Sequence, residues 1–342
     1  MTKSVNHLDK LAIFQIDFDI WSGQVKLESP DLKIDKDDAP DKEVVDLGRK
    51  YIIERKHLRP FNTLKTQARR LCLRHGMKFF EGAFAIPIEK IDVVSAELDG
   101  ISSQMLDIKS NFVSNYDQWV DEWIHKKPEY AEAIRIGRLP ASVVEKRFGF
   151  DYQIYQMNPV NEVQSNKLNG MANGLADELM DEIVGEAETF YQSNLKGKET
   201  CQVTTQKTLK RLRDKVDGLS FLDSRFLSVV ELLSKTINGY PSAGKTVGGE
   251  QYFRILSATL ILTSKTKIQE YATGTVDLDQ MANSYMTGGQ AVSHKAPAVE
   301  TKSSAPISSE ESSSLMDLTL PDDDELDQIF GGKVANGTSS YF

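Results

Sequence analysis

Hydrophobic and polar residues alternate strictly near the start of the chain. Phe14, Ile16, Phe18 and Ile20 interleave with Gln15, Asp17 and Asp19. A period of two puts one apolar and one wet face on a strand, so residues 11–27 are predicted to open with a half-buried strand. Ser22 and Gly23 then turn the chain, and QVKL is predicted to return as a second strand. The polar, acidic stretch 30–40 reads as a loop. Residues 41–53 read as a short helix. Residues 60–76 read as a clearer one, with Pro60 at its start, Gly76 past its end, and Leu64, Ala68, Leu71 and Cys72 as its apolar face. MKFFEGAFAIP follows as a strand.

The strongest periodic signal comes next. Ile91, Val94, Leu98, Ile101, Met105, Ile108, Phe112, Tyr116, Trp119 and Trp123 step by three or four, a heptad-like stripe. A helix over 88–125 would be about 57 Å long at 1.5 Å per residue. Pro128 ends it. Two short helices broken at Gly137 and Pro140 are expected next, then a strand at FGFDYQIYQM that joins the N-terminal strands. Three further helices are predicted over 160–195, 204–237 and 249–271, with LKGKET and GYPSAGKTVGG as connectors. Long stripes with short connectors favour antiparallel packing. The expected fold is α+β and mainly α. It has an α+β region over 1–158 that includes the start of a long helical stalk (88–126), a coiled-coil-like helical bundle or hairpin over 159–284, and a disordered tail over 285–342. The tail is rich in Ser, Ala and Pro and buries too little apolar surface to offset chain entropy.

Composition narrows the function classes. The chain has 342 residues and only two cysteines, Cys72 and Cys201, in no CxxC or Cys/His cluster, so a disulfide framework and a structural zinc site are not expected. The first residues lack the basic-then-apolar order of a signal peptide, and no run of 18 apolar residues occurs. The expectation is a soluble, cytoplasmic protein without a membrane partner. The net charge is −9, but residues 287–342 carry nine Asp/Glu against three Lys/Arg, which leaves the body near −3.

Three constellations carry chemistry. Residues 239–246 match the phosphate-loop pattern, with Gly239, Gly244, Lys245 and Thr246 in the motif positions. A phosphate loop follows a buried strand and opens a helix; here the preceding segment has helical spacing and Gly248-Gly249 follows at once. The reading is a connector, with nucleotide hydrolysis as the alternative. The second constellation is the stretch 49–78, which holds ten Lys/Arg and one acid, Glu54. Arg69, Arg70, Arg74 and Lys78 are its candidate polyanion-binding residues, set against the reading of a solvated face neutralised by carboxylates elsewhere. The third is an acidic tip over 315–330, in which Leu326, Ile329 and Phe330 fall at i, i+3 and i+4 as a candidate partner-docking turn. No HxxxH, HExxH or GxSxG occurs. Catalytic residues, metal ligands and a cofactor are not expected. Trp119 and Trp123 are expected to bury in the long-helix stripe.

The order IDFDIWSG, LGRKYI, LRPFNTLKTQARRLCLRHG, FFEGAFAIP, long helix and RFGFDYQIY resembles the bacterial and phage "domain of unknown function 3150" family. The resemblance covers roughly residues 8–275 and lies mainly in the first 160, with the tail outside it. It implies no assigned activity. It implies an accessory place on mobile elements, beside a MoxR-like ATPase of the AAA class and a von Willebrand factor A protein. The leading expectation is therefore a non-enzymatic adaptor with a protein partner and a capacity for self-association. Its alternative is a nucleic-acid-associated protein that uses 49–78.

Overall fold

A computed structural model describes residues 7–32, 45–80, 82–157, 161–242 and 244–287. The chain opens with a four-stranded antiparallel sheet. Its strands are β1 (Leu11–Asp19), β4 (Met77–Phe80), β5 (Ala83–Pro87) and β6 (Gly149–Tyr155), in the order β4-β5-β1-β6. The predicted strand at MKFFEGAFAIP is thus two strands. Gly82, with φ +72°, takes the left-handed turn between them. The other early strands, β2 (Gln24–Lys26) and β3 (Arg49–Tyr51), pair with each other rather than with β1. The helix expected over 41–53 is absent from its described part. Pairing with β2 and the burial of both Ile52 and Ile53 hold that segment extended.

The first part of β1 is buried on both faces. Ala12, Phe14 and Ile16, with Phe84 and Ile86, belong to one apolar cluster. Leu11 and Ile13, with Met77, Ala83 and Ala85, belong to another. Period two assigns these sets to opposite sides of the sheet. The alternation seen from Phe14 onward is real, but only the Asp17–Asp19 end of β1 is wet.

On the first face lie α1 (Arg59–His75) and α2 (Ile91–Lys126). Helix α1 buries Phe61, Leu64, Ala68, Leu71 and Cys72, as its spacing predicts. Helix α2 runs 36 residues and ends before Pro128. Its stripe packs on α1, β6 and two short helices, α3 (Ala131–Gly137) and α4 (Ala141–Glu145), rather than along another long helix. The expected coiled-coil partner is therefore replaced by several short elements.

On the second face lie α5 (Glu162–Phe190), a π-turn (Tyr191–Leu195), α6 (Gln206–Gly218), α7 (Arg225–Asn238), α8 (Gly249–Leu262), α9 (Lys265–Ala272) and α10 (Leu278–Met286). The single helix expected over 204–237 is two. Asp223 breaks it, in extended backbone and accepting a hydrogen bond from the Arg225 N–H at 2.8 Å. The helix expected over 249–271 is likewise interrupted between Leu262 and Lys265. Helix α10 is capped by Asp277, whose carboxylate accepts from the N–H groups of Asp279 and Gln280. Its Leu278 and Ala282 are buried, so ordered structure continues two residues into the stretch expected to be tail. Among the described residues no helix is long and apolar enough to cross a membrane.

Candidate polyanion-binding surface

The basic stretch is spread by the fold over β3, the turn Arg55–His57, α1 and β4. Some of its charge is neutralised. Lys50 pairs with Asp31 in an ion pair largely removed from water. Glu54 receives both Lys56 (2.9 Å) and Lys126 of α2 (3.0 Å), and this pairing holds its carboxyl below the usual range. Arg74 reaches Glu97 of α2 at 3.5 Å, with both side chains about half exposed, a contact of little energetic weight.

The remaining cations are different. Arg49, Arg55, Arg59, Arg69, Arg70 and Lys78 are exposed, and their side chains meet no carboxylate among the described residues. Helical geometry separates them. At about 100° per residue, Arg70 and Arg74 share one flank of α1, whereas Arg69 points to the other. There Arg69 and Lys65 line a shallow pocket of about 210 Å³ with Gln15, Asp17, Phe18 and Gly82. The four candidates do not form one tight cluster; they cover the solvent side of α1 and the adjoining edge strand. Lys78 lies on β4, an edge strand, where an exposed lysine also discourages edge-to-edge pairing.

The fold adds residues that linear reading missed. The C-terminal end of α2 comes beside β3 and the Arg55–His57 turn. The Trp123 indole N–H donates to the Tyr51 carbonyl at 3.2 Å. The His57 ring stacks on Trp119 at 4.0 Å between centroids. Arg55 lies 5.8 Å from the Tyr51 ring centroid and Lys127 5.9 Å from that of Trp123. Burial, then the neighbouring Lys56, pushes the His57 pKa down. Trp119 and Trp123 are half-buried rather than fully buried, because the α2 core face drifts to Tyr116, Val120 and Ile124. A step of four repeated three times leaves the earlier heptad register, and this change of step was the available signal.

The phosphate-loop match connects two helices. Gly239 closes α7, where a Cβ would meet the Gln251 side-chain oxygen at 2.5 Å. Gly244 has φ +116°. The Lys245 carbonyl accepts from the Val203 N–H at 3.0 Å, and its side chain is exposed. Thr246 begins the two-residue strand β8 (Thr246–Val247), paired with β7 (Cys201–Gln202). Tyr240, inside the motif, is buried and its hydroxyl lies 3.0 Å from that of Thr205. The strand–loop–helix frame of a phosphate loop is not formed here.

Other chemistry is muted. Both thiols are buried; burial pushes Cys72 up to about 12 and raises Cys201. A thiol held protonated is a poor nucleophile. Asp17 lies opposite Asp151 across β1 and β6, but no group of three or more metal-ligating side chains gathers among the described residues. A groove of about 480 Å³ between α5 and α6 is bridged by Glu186–Arg211 and Glu182–Lys215 ion pairs, so its charges are already engaged. Leu326, Ile329 and Phe330 lie outside the described residues.

No curated protein and no solved structure matches the chain. A family does, over residues 8–264, three quarters of the length, and the chain belongs to it: "Protein of unknown function (DUF3150)".

Proposed function

We propose that this chain is a non-enzymatic interaction protein that docks a polyanionic partner on the solvent side of α1 and its surroundings. One observation supports this reading above the others. Six exposed cations between Arg49 and Lys78 lack a carboxylate partner among the described residues, in a chain with 50 acidic side chains against 41 basic ones. With acids in excess, neutralising this face would have needed only ordinary surface substitutions. Exposed like charges left together repel, and an anionic ligand relieves that repulsion while releasing its own counterions. The family resemblance adds an accessory role beside a MoxR-like ATPase of the AAA class, on a bacterial mobile element or phage.

Immobilised heparin tests the surface directly. The full-length chain is expected to be retained at low salt, and Arg69→Ala/Arg70→Ala to elute at clearly lower salt with an unchanged melting temperature. Equal elution of the two proteins would remove α1 from the reading. Co-purification from the native host tests the ATPase association.

A further inference from the structure

We propose that the polyanion is a single-stranded nucleic acid, seated where β3, the Arg55–His57 turn and the C-terminal end of α2 meet. This rests on the polyanion reading and narrows it. The site displays aromatic rings as well as charge. Tyr51, His57, Trp119 and Trp123 are four ring systems brought together from segments about 70 residues apart, and all four are half-buried at the surface. Trp119 and Trp123 stand one turn apart on α2, about 6 Å along its axis. Cations frame the rings: Arg55 lies over Tyr51, Lys127 over Trp123, and Arg59 is exposed two residues beyond His57.

The nearby carboxylates are occupied. Glu54 is held by Lys56 and Lys126, and Glu122 accepts from the Gln118 amide at 2.9 Å. Arg55, Arg59 and Lys127 are therefore committed to no carboxylate among the described residues. Cations interleaved with rings suit a ligand that offers phosphates and unstacked bases together, because phosphates find the cations and bases find π faces. A duplex keeps its bases inside the stack and would use only the charges. An acidic polypeptide would likewise leave the rings without a matching group.

The test uses the full-length chain with fluorescein-labelled (dT)20, the corresponding (dT)20·(dA)20 duplex, heparin and polyglutamate. The expected result has three parts. (dT)20 binds more tightly than the duplex at equal salt. Saturation quenches tryptophan fluorescence, which is sensitive here because Trp119 and Trp123 are two of the three tryptophans and Trp21 is buried. Arg55→Ala/Lys127→Ala, both exposed positions, weakens (dT)20 roughly tenfold without lowering the melting temperature. Trp119→Phe serves as a second variant that keeps an aromatic ring and should retain most of the binding. If (dT)20, duplex and heparin bind equally, without quenching and without sensitivity to Arg55→Ala/Lys127→Ala, the single-strand proposal is overturned while the polyanion reading stands. If polyglutamate competes as well as (dT)20, the partner is an acidic protein. If no polyanion binds even at low salt, both readings fall.

Discussion

Gly76 has extended backbone that any residue could adopt, so its role is spatial. A Cβ there would sit 2.3 Å from the Ala85 carbonyl oxygen and 2.7 Å from Ile86. The missing side chain lets α1 turn directly into the sheet. Gly76→Ala should cost about 1–3 kcal/mol in urea denaturation, the usual range for forced overpacking. Two histidines define a pH response. His57 is depressed by burial and by Lys56 and Lys126, against the opposing pull of Glu54 and Glu122. His75 is depressed by burial, Arg74 and Lys90, against Glu97, and its Nε2 is buried without a partner. Near and below pH 6.5 the unfolded chain therefore binds protons that the folded one does not, so stability falls as pH drops through that value. The urea midpoint should be lower at pH 5.5 than at pH 7.5. His57→Phe, which keeps a ring against Trp119 but cannot titrate, should show a smaller difference. A wild-type midpoint that does not fall over this window would contradict the assignment.

Helices and strands show where linear reading succeeds and where it stops. The pairing of apolar spacing with a start and a stop signal located α1 and α2 to within a few residues, because both bury one continuous stripe. The helix expected over 41–53 failed because Ile52 and Ile53 bury through contacts with distant elements, which local spacing does not encode. The stripe on α2 is real, yet Ile108 is only half-buried while Met105 and Phe112 are fully buried. Phe112 touches the rings of Phe61, Tyr116, Trp119 and Phe148, which makes it the better probe of that seam. Between α5 and α6, Lys215 is 5% exposed and bonds Glu182, itself 30% exposed, at 2.5 Å. Removing one partner leaves the other desolvated and alone, whereas an apolar replacement of the ammonium can fill the same space. Glu182→Ala should cost about 3 kcal/mol, and Lys215→Met should cost less, because the Glu182 carboxylate it leaves unpaired is 30% exposed and keeps access to water. Equal losses from the two variants would contradict this asymmetry.

At the scale of the whole molecule, two apolar clusters share one sheet. The first uses Ala12, Phe14 and Ile16 with α1 and α2; the second uses Leu11 and Ile13 with the helices from α5 onward. The basic surface lies over the first cluster and was legible as charge, since ten cations against one acid within 30 residues need no fold to be seen. Its aromatic half was not legible. Trp123 and Tyr51 are 72 positions apart and meet only because α2 returns to β3. On the proposed reading, α1 and the segments beside it present cations free to meet the phosphates of a polyanion. The most direct test is the salt dependence of (dT)20 affinity, read by fluorescence anisotropy from about 25 to 300 mM NaCl. Each single-strand phosphate contact contributes a slope of about −0.7 in log K against log salt. The wild-type slope should be steep, and Arg55→Ala/Arg59→Ala/Lys127→Ala, which removes the cations around the rings, should flatten it by about 2 for three lost contacts. A wild-type slope near zero, or one that the triple variant leaves unchanged, would contradict the claim.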